Sequence, residues 1–262
     1  MNPIESTISP VNDFNRYAVS YDQFARIQQL AADDLGSIIE SHKHRMPNTT
    51  ILELGAGTGF LTEQLLRRIP HSIVIATDIS GGMLDVLQNK MGHTKQLQMS
   101  LMDANHINGA FSEVGSIVSG LTIQWLSEPV KSIHQWMNSI HPEGVAFISW
   151  LGNGSFPEWK SMTKELGVSY TGNSLPGNEV EQFIRNKAEL NIIEYQIQHR
   201  ALEFDSALSF FKSIRNIGAS TETNPNQEKR SLLRLCSYWD EVSPKGVSVD
   251  HELHYLVLGK IK

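Results

Sequence analysis

The chain has one cysteine, Cys236, in 262 residues, so no intrachain disulfide can staple the fold and no cysteine-built metal site can form. It has no apolar run near the roughly 20 residues that a membrane-spanning helix requires. The opening stretch Met1–Pro10 lacks both the basic start and the apolar core of a secretory signal. These absences predict a cytoplasmic protein with no membrane partner. Positive charge is also short: 22 Lys and Arg stand against 28 Asp and Glu, a formal net charge of −6, which argues against a duplex nucleic-acid partner. What is present is apolar material, 40% of the residues, too much for general disorder and enough for a buried core. At roughly 100–200 residues per domain, the length supports one large domain or a core with an insertion.

From Pro10 to about His42, apolar residues recur at helical spacing (Phe14, Tyr17, Tyr21, Phe24, Ile27, Leu30, Ala31, Leu35, Ile38, Ile39) and predict two helices joined near Ser20–Asp22. A polar link, Ser41–Thr49, follows. Short apolar runs then predict strands at Thr50–Leu54, Ser72–Thr77, Gln96–Leu101, Ser116–Gly120 and Gly144–Trp150. Helical stretches start near Phe60, Ser80 and Pro129, and Asn105–Phe111 reads as a loop or short turn. Such alternation predicts a mostly parallel sheet, covered on both faces, that binds ligands beyond the carboxyl ends of its strands. After Trp150 come a helix over Ser155–Leu166, a Gly/Pro loop over Thr171–Asn178 and a strand over Asn191–Phe204. Helices over Asp205–Ile217 and Gln227–Val242 flank the polar run Ser220–Asn226, and His251–Ile261 reads as a last strand. The class is α/β, with an N-terminal helical segment and a helical insertion over the ligand edge.

The most informative stretch is Ile51-Leu52-Glu53-Leu54-Gly55-Ala56-Gly57-Thr58-Gly59-Phe60, where a buried strand hands over to a helix. Glycines there permit a tight turn and let backbone N–H groups approach a ligand. A dinucleotide fold prefers G-x-G-x-x-G, but here the third glycine comes one position early and Phe60 fills the slot of the dehydrogenase glycine. Glu53 precedes the loop, where its carboxylate would repel a pyrophosphate and attract a cationic ligand directly or through water. Asp78 ends the second strand, placed for ribose hydroxyls. Asp103 follows the third, placed for an adenine amino group. The bland reading is a tight strand–helix turn with helix-capping acids. The ten histidines show no metal-ligand array: His251 and His254 fall on opposite faces of a strand, and no metal is assigned.

This arrangement resembles the Rossmann-like class I S-adenosylmethionine-dependent methyltransferases. Further stretches narrow the likeness: Phe14-Asn15-Arg16-Tyr17-Ala18-x-x-Tyr21-Asp22-x-x-Ala25-x-x-Gln28, Leu121-Thr122-Ile123-Gln124-Trp125, Asn153-Gly154-Ser155-Phe156-Pro157-Glu158, Leu175-Pro176 with Glu179-Val180-Glu181-Gln182, Lys212-Ser213-Ile214-Arg215-Asn216-Ile217-Gly218-Ala219 and Leu258-Gly259. They resemble the malonyl-acyl-carrier-protein O-methyltransferases of biotin synthesis over nearly the whole chain. Ala56 stands where that family commonly has cysteine, and Arg215-Asn216 where it tends to show Lys-Gly. The resemblance implies an N-terminal helical segment over 1–48, an S-adenosylmethionine-binding core over 49–152, the rest of the core with a helical lid insertion over 153–249, and a final core strand over 250–262. It implies methyl transfer from S-adenosylmethionine to the free carboxylate of malonyl-acyl carrier protein or malonyl-CoA, hiding the charge from elongation enzymes that build a pimeloyl ester. The cofactor set it implies is Tyr21, Glu53, Gly55, Gly57, Gly59, Asp78, Ile79, Met83, Asp103, Ala104 and Leu121. The substrate set is Arg16, Tyr17, Gln124, Trp125, Lys212 and Arg215.

A malonyl carboxylate is ionised at pH 7 and needs no general base, so positioning and water exclusion suffice and no catalytic dyad is expected. Arg16 either forks onto the malonyl group or is an exposed helix residue. Tyr17 and Tyr21 either close over the sulfonium or pack the N-terminal helix on the sheet. Gln124 and Trp125 are expected to face the crevice, with a core tryptophan as the alternative for Trp125. Met83 touches adenine or packs in a helix stripe. Lys212, Arg215, Lys229, Arg230 and Arg234 offer a basic surface to an acidic carrier or are simply solvated; Lys212 and Arg215 share a helix face. Other classes left open are a small-molecule methyltransferase acting on another carboxylate or a quinone-type ring, a nicotinamide-dependent oxidoreductase and a non-catalytic binding protein.

Overall fold

The computed structural model describes residues 12–47, 50–107, 114–219 and 225–261. Among these, seven strands form one sheet in the order β3-β2-β1-β4-β5-β7-β6: β1 (Thr50–Leu54), β2 (Ile73–Asp78), β3 (Leu97–Leu101), β4 (Val114–Gly120), β5 (Ile140–Leu151), β6 (Leu190–Phe204) and β7 (Val247–Lys260). The pairs among β1 to β5 are parallel, whereas β7 runs antiparallel to both β5 and β6. In β1, Ile51, Leu52 and Leu54 are fully buried. Each such side chain is worth about 1.5–3 kcal/mol. Because alternate residues point to opposite faces, β1 is held from both sides, as a central parallel strand must be.

The N-terminal segment is broken in two places. Residues 12–17 (α1) are helical, a turn covers 18–20, α2 is Tyr21–Phe24, and α3 is Arg26–His42. The second break, beyond the one expected, falls at Ala25, whose ψ of 42° leaves the helical region and whose side chain is fully buried. Helices α4 (Phe60–Arg68), α5 (Gly81–Met91) and α6 (Pro129–Ser139) connect the parallel strands. In α5, Ser80 supplies an N-cap by accepting from the Met83 N–H. Beyond β5 lie α7 (Pro157–Leu166), α8 (Glu179–Arg185), α9 (Ala207–Asn216) and α10 (Pro225–Val242).

Two strands begin four residues before their apolar runs. β5 begins at Ile140, not Gly144, directly from α6, and β7 begins at Val247, not His251. Polar positions such as Ser248 and Asp250 are carried into β7 because β6 pairs with it throughout, to Phe204 opposite Val247. Helix α8 was not expected. Of the loop expected at Asn105–Phe111 and the polar run Ser220–Asn226, residues 108–111 and 220–224 lie outside the described residues. No helix among those described is long and apolar enough to cross a membrane.

Candidate active site

A cavity opens at the carboxyl ends of β1, β2 and β4, where the strand order reverses. Gly55, Gly57 and Gly59 all take positive φ, 71°, 56° and 95°, which is why glycine recurs at these positions. A Cβ on Gly55 would collide with Thr122, and one on Gly57 would meet nothing within 4 Å. Gly57 therefore turns a bare backbone toward open space, a cradle suited to a close ligand.

Asp78 is buried at the end of β2; its Oδ2 accepts the Gly57 N–H and its Oδ1 the Ser80 N–H, both at 2.8 Å. Burial raises its pKa above the ordinary range and these hydrogen bonds pull the other way, so the net is upward. Asp103 goes down: burial opposes ionisation, but the backbone and side-chain N–H groups of Asn105 and the His106 ring outweigh it. Around these acids Ile79, Met83, Ala104 and Leu121 line the cavity, with Tyr21 from α2. The Trp136 Nε1–H donates to the Ala104 carbonyl at 2.8 Å and fixes that edge. The Tyr21 hydroxyl is raised by burial and by Asp78 and Asp22, so it is a neutral donor at any working pH.

Glu53 lies beneath the turn and does not line the cavity. Thr62 donates its hydroxyl to Oε2 at 2.7 Å, and Oε1 is buried without a partner among the described residues. Burial, only partly offset by that bond, pushes its carboxyl up to about 8, with Asp78 adding to the rise. Any pull on a cation acts through the glycine turn. Gly59 is also outside the lining, at the N-cap of α4 against Leu87.

Of the expected substrate residues, Trp125 lines the cavity. Gln124 does not face the crevice as expected: its Oε1 accepts the Leu151 N–H at 3.1 Å, because the 3-10 turn Ile123–Trp125 aims it at the end of β5. Arg16 is exposed and Tyr17 half-buried, both outside the lining, and Lys212 and Arg215 are exposed on α9. Arg230 is exposed at the edge of the described side chains, and the side chain of Lys229 lies outside them. Among the described residues no Lys, Arg or His lines the cavity, and no group of three or more His, Cys, Asp or Glu could hold a metal.

Lining residues that received no role from the sequence include Phe14 and Gln28. The available signal was spacing: Phe14, Tyr21 and Gln28 lie seven apart, although the breaks between them put each on a different helix. The segment is clasped to the turn. Thr58 donates its hydroxyl to Asp22 Oδ1 at 2.6 Å, Lys90 reaches Asp22 Oδ2 at 2.7 Å, and Asn15 Oδ1 accepts from the Ser80 hydroxyl and the Gly82 N–H.

A family model described as a methyltransferase domain matches residues 51–144. Among solved structures, the YcgJ protein of Bacillus subtilis shares the fold, with a TM-score of 0.60 at 12% identity over 88% of this chain and 99% of that one. Together they make this a class I methyltransferase fold. The malonyl-[acyl-carrier protein] O-methyltransferase 1 of Ilyobacter polytropus is 27% identical over 257 residues, 95% of this chain and 93% of that protein. The malonyl-[acyl-carrier protein] O-methyltransferase of Bacillus cytotoxicus is 30% identical over 239 residues, 85% of this chain and 81% of that protein. On a match of that depth across most of both proteins, the chain belongs to the malonyl-[acyl-carrier protein] O-methyltransferase family.

Proposed function

We propose that the chain methylates the free carboxylate of a malonyl thioester carried by acyl carrier protein, giving the ester that starts pimeloyl and biotin synthesis, with S-adenosylmethionine as methyl donor. Bound in the cavity, S-adenosylmethionine supplies an electrophilic methyl group that a carboxylate oxygen takes in one displacement. Asp78 suits the ribose hydroxyls, since each of its oxygens keeps acceptor capacity beyond its backbone bond. Asp103, held ionised, suits the adenine amino group, and the bare Gly57 backbone allows close approach. The substrate acid is already ionised and needs no base. A phenol or ring carbon would call for one beside Trp125, where the neighbouring lining residues are Thr122 and Leu126.

The observation that carries this reading is how far the likeness runs. The general methyltransferase match spans residues 51–144, whereas relatives named for the malonyl reaction match over 95% and 85% of the chain, beyond that segment on both sides. The test is incubation with labelled S-adenosylmethionine and malonyl-carrier, followed by mass analysis. One added methyl on malonyl-carrier and none on acetyl-carrier supports it; no transfer overturns it. Malonyl-CoA, run in parallel, separates carrier recognition from recognition of the acid alone.

A further inference from the structure

Gln28 lines the cavity from α3, and its amide oxygen is buried with no hydrogen-bond partner among the described residues. Buried amide oxygens are almost always paired, because an unpaired one has lost its water and gained nothing in return. The described residues make no use of this group: among them it caps no helix, joins no strand and meets no charge. Its position explains what would use it. Asp78 and Asp103 leave β2 and β3, at one side of the sheet order, whereas α3 packs on α4 and on β4 and β5 at the other. Gln28 and the acids therefore enter one cavity from different elements, the acids from the strand ends and Gln28 from the helix that packs beyond them. On the same face of α3, Ala31 and Ala32 follow at three and four residues, and both line the cavity with little side chain to fill it.

We propose that Gln28 binds the amino-acid end of the methyl donor, its carboxamide oxygen accepting from the ammonium and its amide N–H donating to the carboxylate. A zwitterion presents donors and acceptors together, and a primary amide answers both without a net charge. The absence of Lys, Arg and His from the described lining leaves a neutral donor to meet that carboxylate. This inference rests on the reading that the cavity takes S-adenosylmethionine, with its adenosine toward the acids.

The experiment is calorimetric titration of wild type, Gln28→Met and Gln28→Ala with S-adenosylhomocysteine and with 5′-methylthioadenosine, which has the same adenosine but no amino-acid end. Gln28→Met keeps the side chain's length and its packing on α3, and Gln28→Ala serves if that variant fails to fold. The expected result is about a tenfold loss of affinity for S-adenosylhomocysteine, the scale of a hydrogen bond to a charged group, with methylthioadenosine affinity held within about twofold. Equal losses for both ligands would assign Gln28 to packing and overturn the inference, as would no loss for either. Wild type that binds neither ligand would instead overturn the reading of the cavity, and this inference with it.

Discussion

Phe14 and Trp125 meet edge to face, ring centroids 5.2 Å apart and planes at 84°. Both line the cavity, one from the N-terminal segment and one from the turn after β4, so their contact closes a wall between distant parts of the chain. Gly218, just past α9, backs the Phe14 ring, and a Cβ there would stand 3.1 Å from it. Replacing Trp125 by Leu should cost about 1 kcal/mol of stability from the lost ring pair. It should also raise KM for the methyl donor more than it lowers kcat. A fall in Tm with KM unchanged would make Trp125 a packing residue alone.

Asp22 joins the same segment to the glycine turn through Thr58 and Lys90. The Asp22 and Lys90 side chains are partly exposed, 37% and 29%, so solvent weakens the ion pair, and the bond to buried Thr58 should dominate. Asp22→Ala should speed dissociation of S-adenosylhomocysteine by up to about tenfold, equivalent to about 1.4 kcal/mol. Stopped-flow displacement measures this directly. An unchanged dissociation rate would mean that the clasp stays shut while ligand leaves.

The cavity's charges are carboxylates, yet the proposed substrate is an anion. The donor's own sulfonium is then the cation that the malonyl group meets, so the donor should bind first. Sinefungin, which carries an ammonium near the sulfonium position, should strengthen malonyl-carrier binding about tenfold relative to the neutral S-adenosylhomocysteine. Fluorescence anisotropy of labelled carrier reads both complexes. Equal affinities would hand the role to a protein cation, and Arg16 at the surface would be the first to test.

Glu53 sets a pH dependence. Burial raises its carboxyl from the ordinary 4.5 to about 8, so the folded state holds the proton more tightly than the unfolded state. The resulting stability is complete below about pH 4.5 and is lost as pH rises through about 8. The Tm of the ligand-free protein should fall between pH 5 and 9, and Glu53→Gln should flatten that slope. The raised Asp78 acts in the same direction and leaves a residue of the slope in the variant. A cationic ligand above the turn favours the ionised carboxylate, so stabilisation by S-adenosylmethionine should grow with pH over this range. Calorimetric melts at matched ionic strength check both trends.

Lys212 and Arg215 are exposed one turn apart on α9, outside the cavity. If they receive an acidic carrier, Lys212→Glu with Arg215→Glu should raise KM for malonyl-carrier several-fold at low salt and leave donor binding unchanged. Kinetics with malonyl-carrier beside malonyl-CoA make the comparison, since only the first presents a protein surface. Unchanged carrier kinetics would refute the docking role.

The glycine turn and its acids were legible because a strand–turn–helix junction under φ constraint leaves few residue choices. The parallel pairing among β1 to β5 followed from alternation, whereas their order in the sheet did not. Nor did the placement of β7 between β5 and β6, since antiparallel pairing between distant strands leaves no local trace. Gln124 departs from the expected crevice position because one short 3-10 turn separates two side chains adjacent in sequence. Phe14 and Gln28 were visible as spacing within the N-terminal motif, but only packing gives spacing a direction. Ala25 ends the helical run there without the glycine or proline that usually marks such a break.

β7 comes after β6 in the chain but lies inside it in the sheet. While the ribosome adds residues, the 15 residues of β6 emerge with no neighbour to pair with, since β5 has to wait for the strand that separates them. Both sides of that gap close only when β7 threads in, which makes its insertion a late and decisive event of biogenesis. A chain stalled before Val247 would present two open sheet edges at once, a natural target for chaperones and for aggregation.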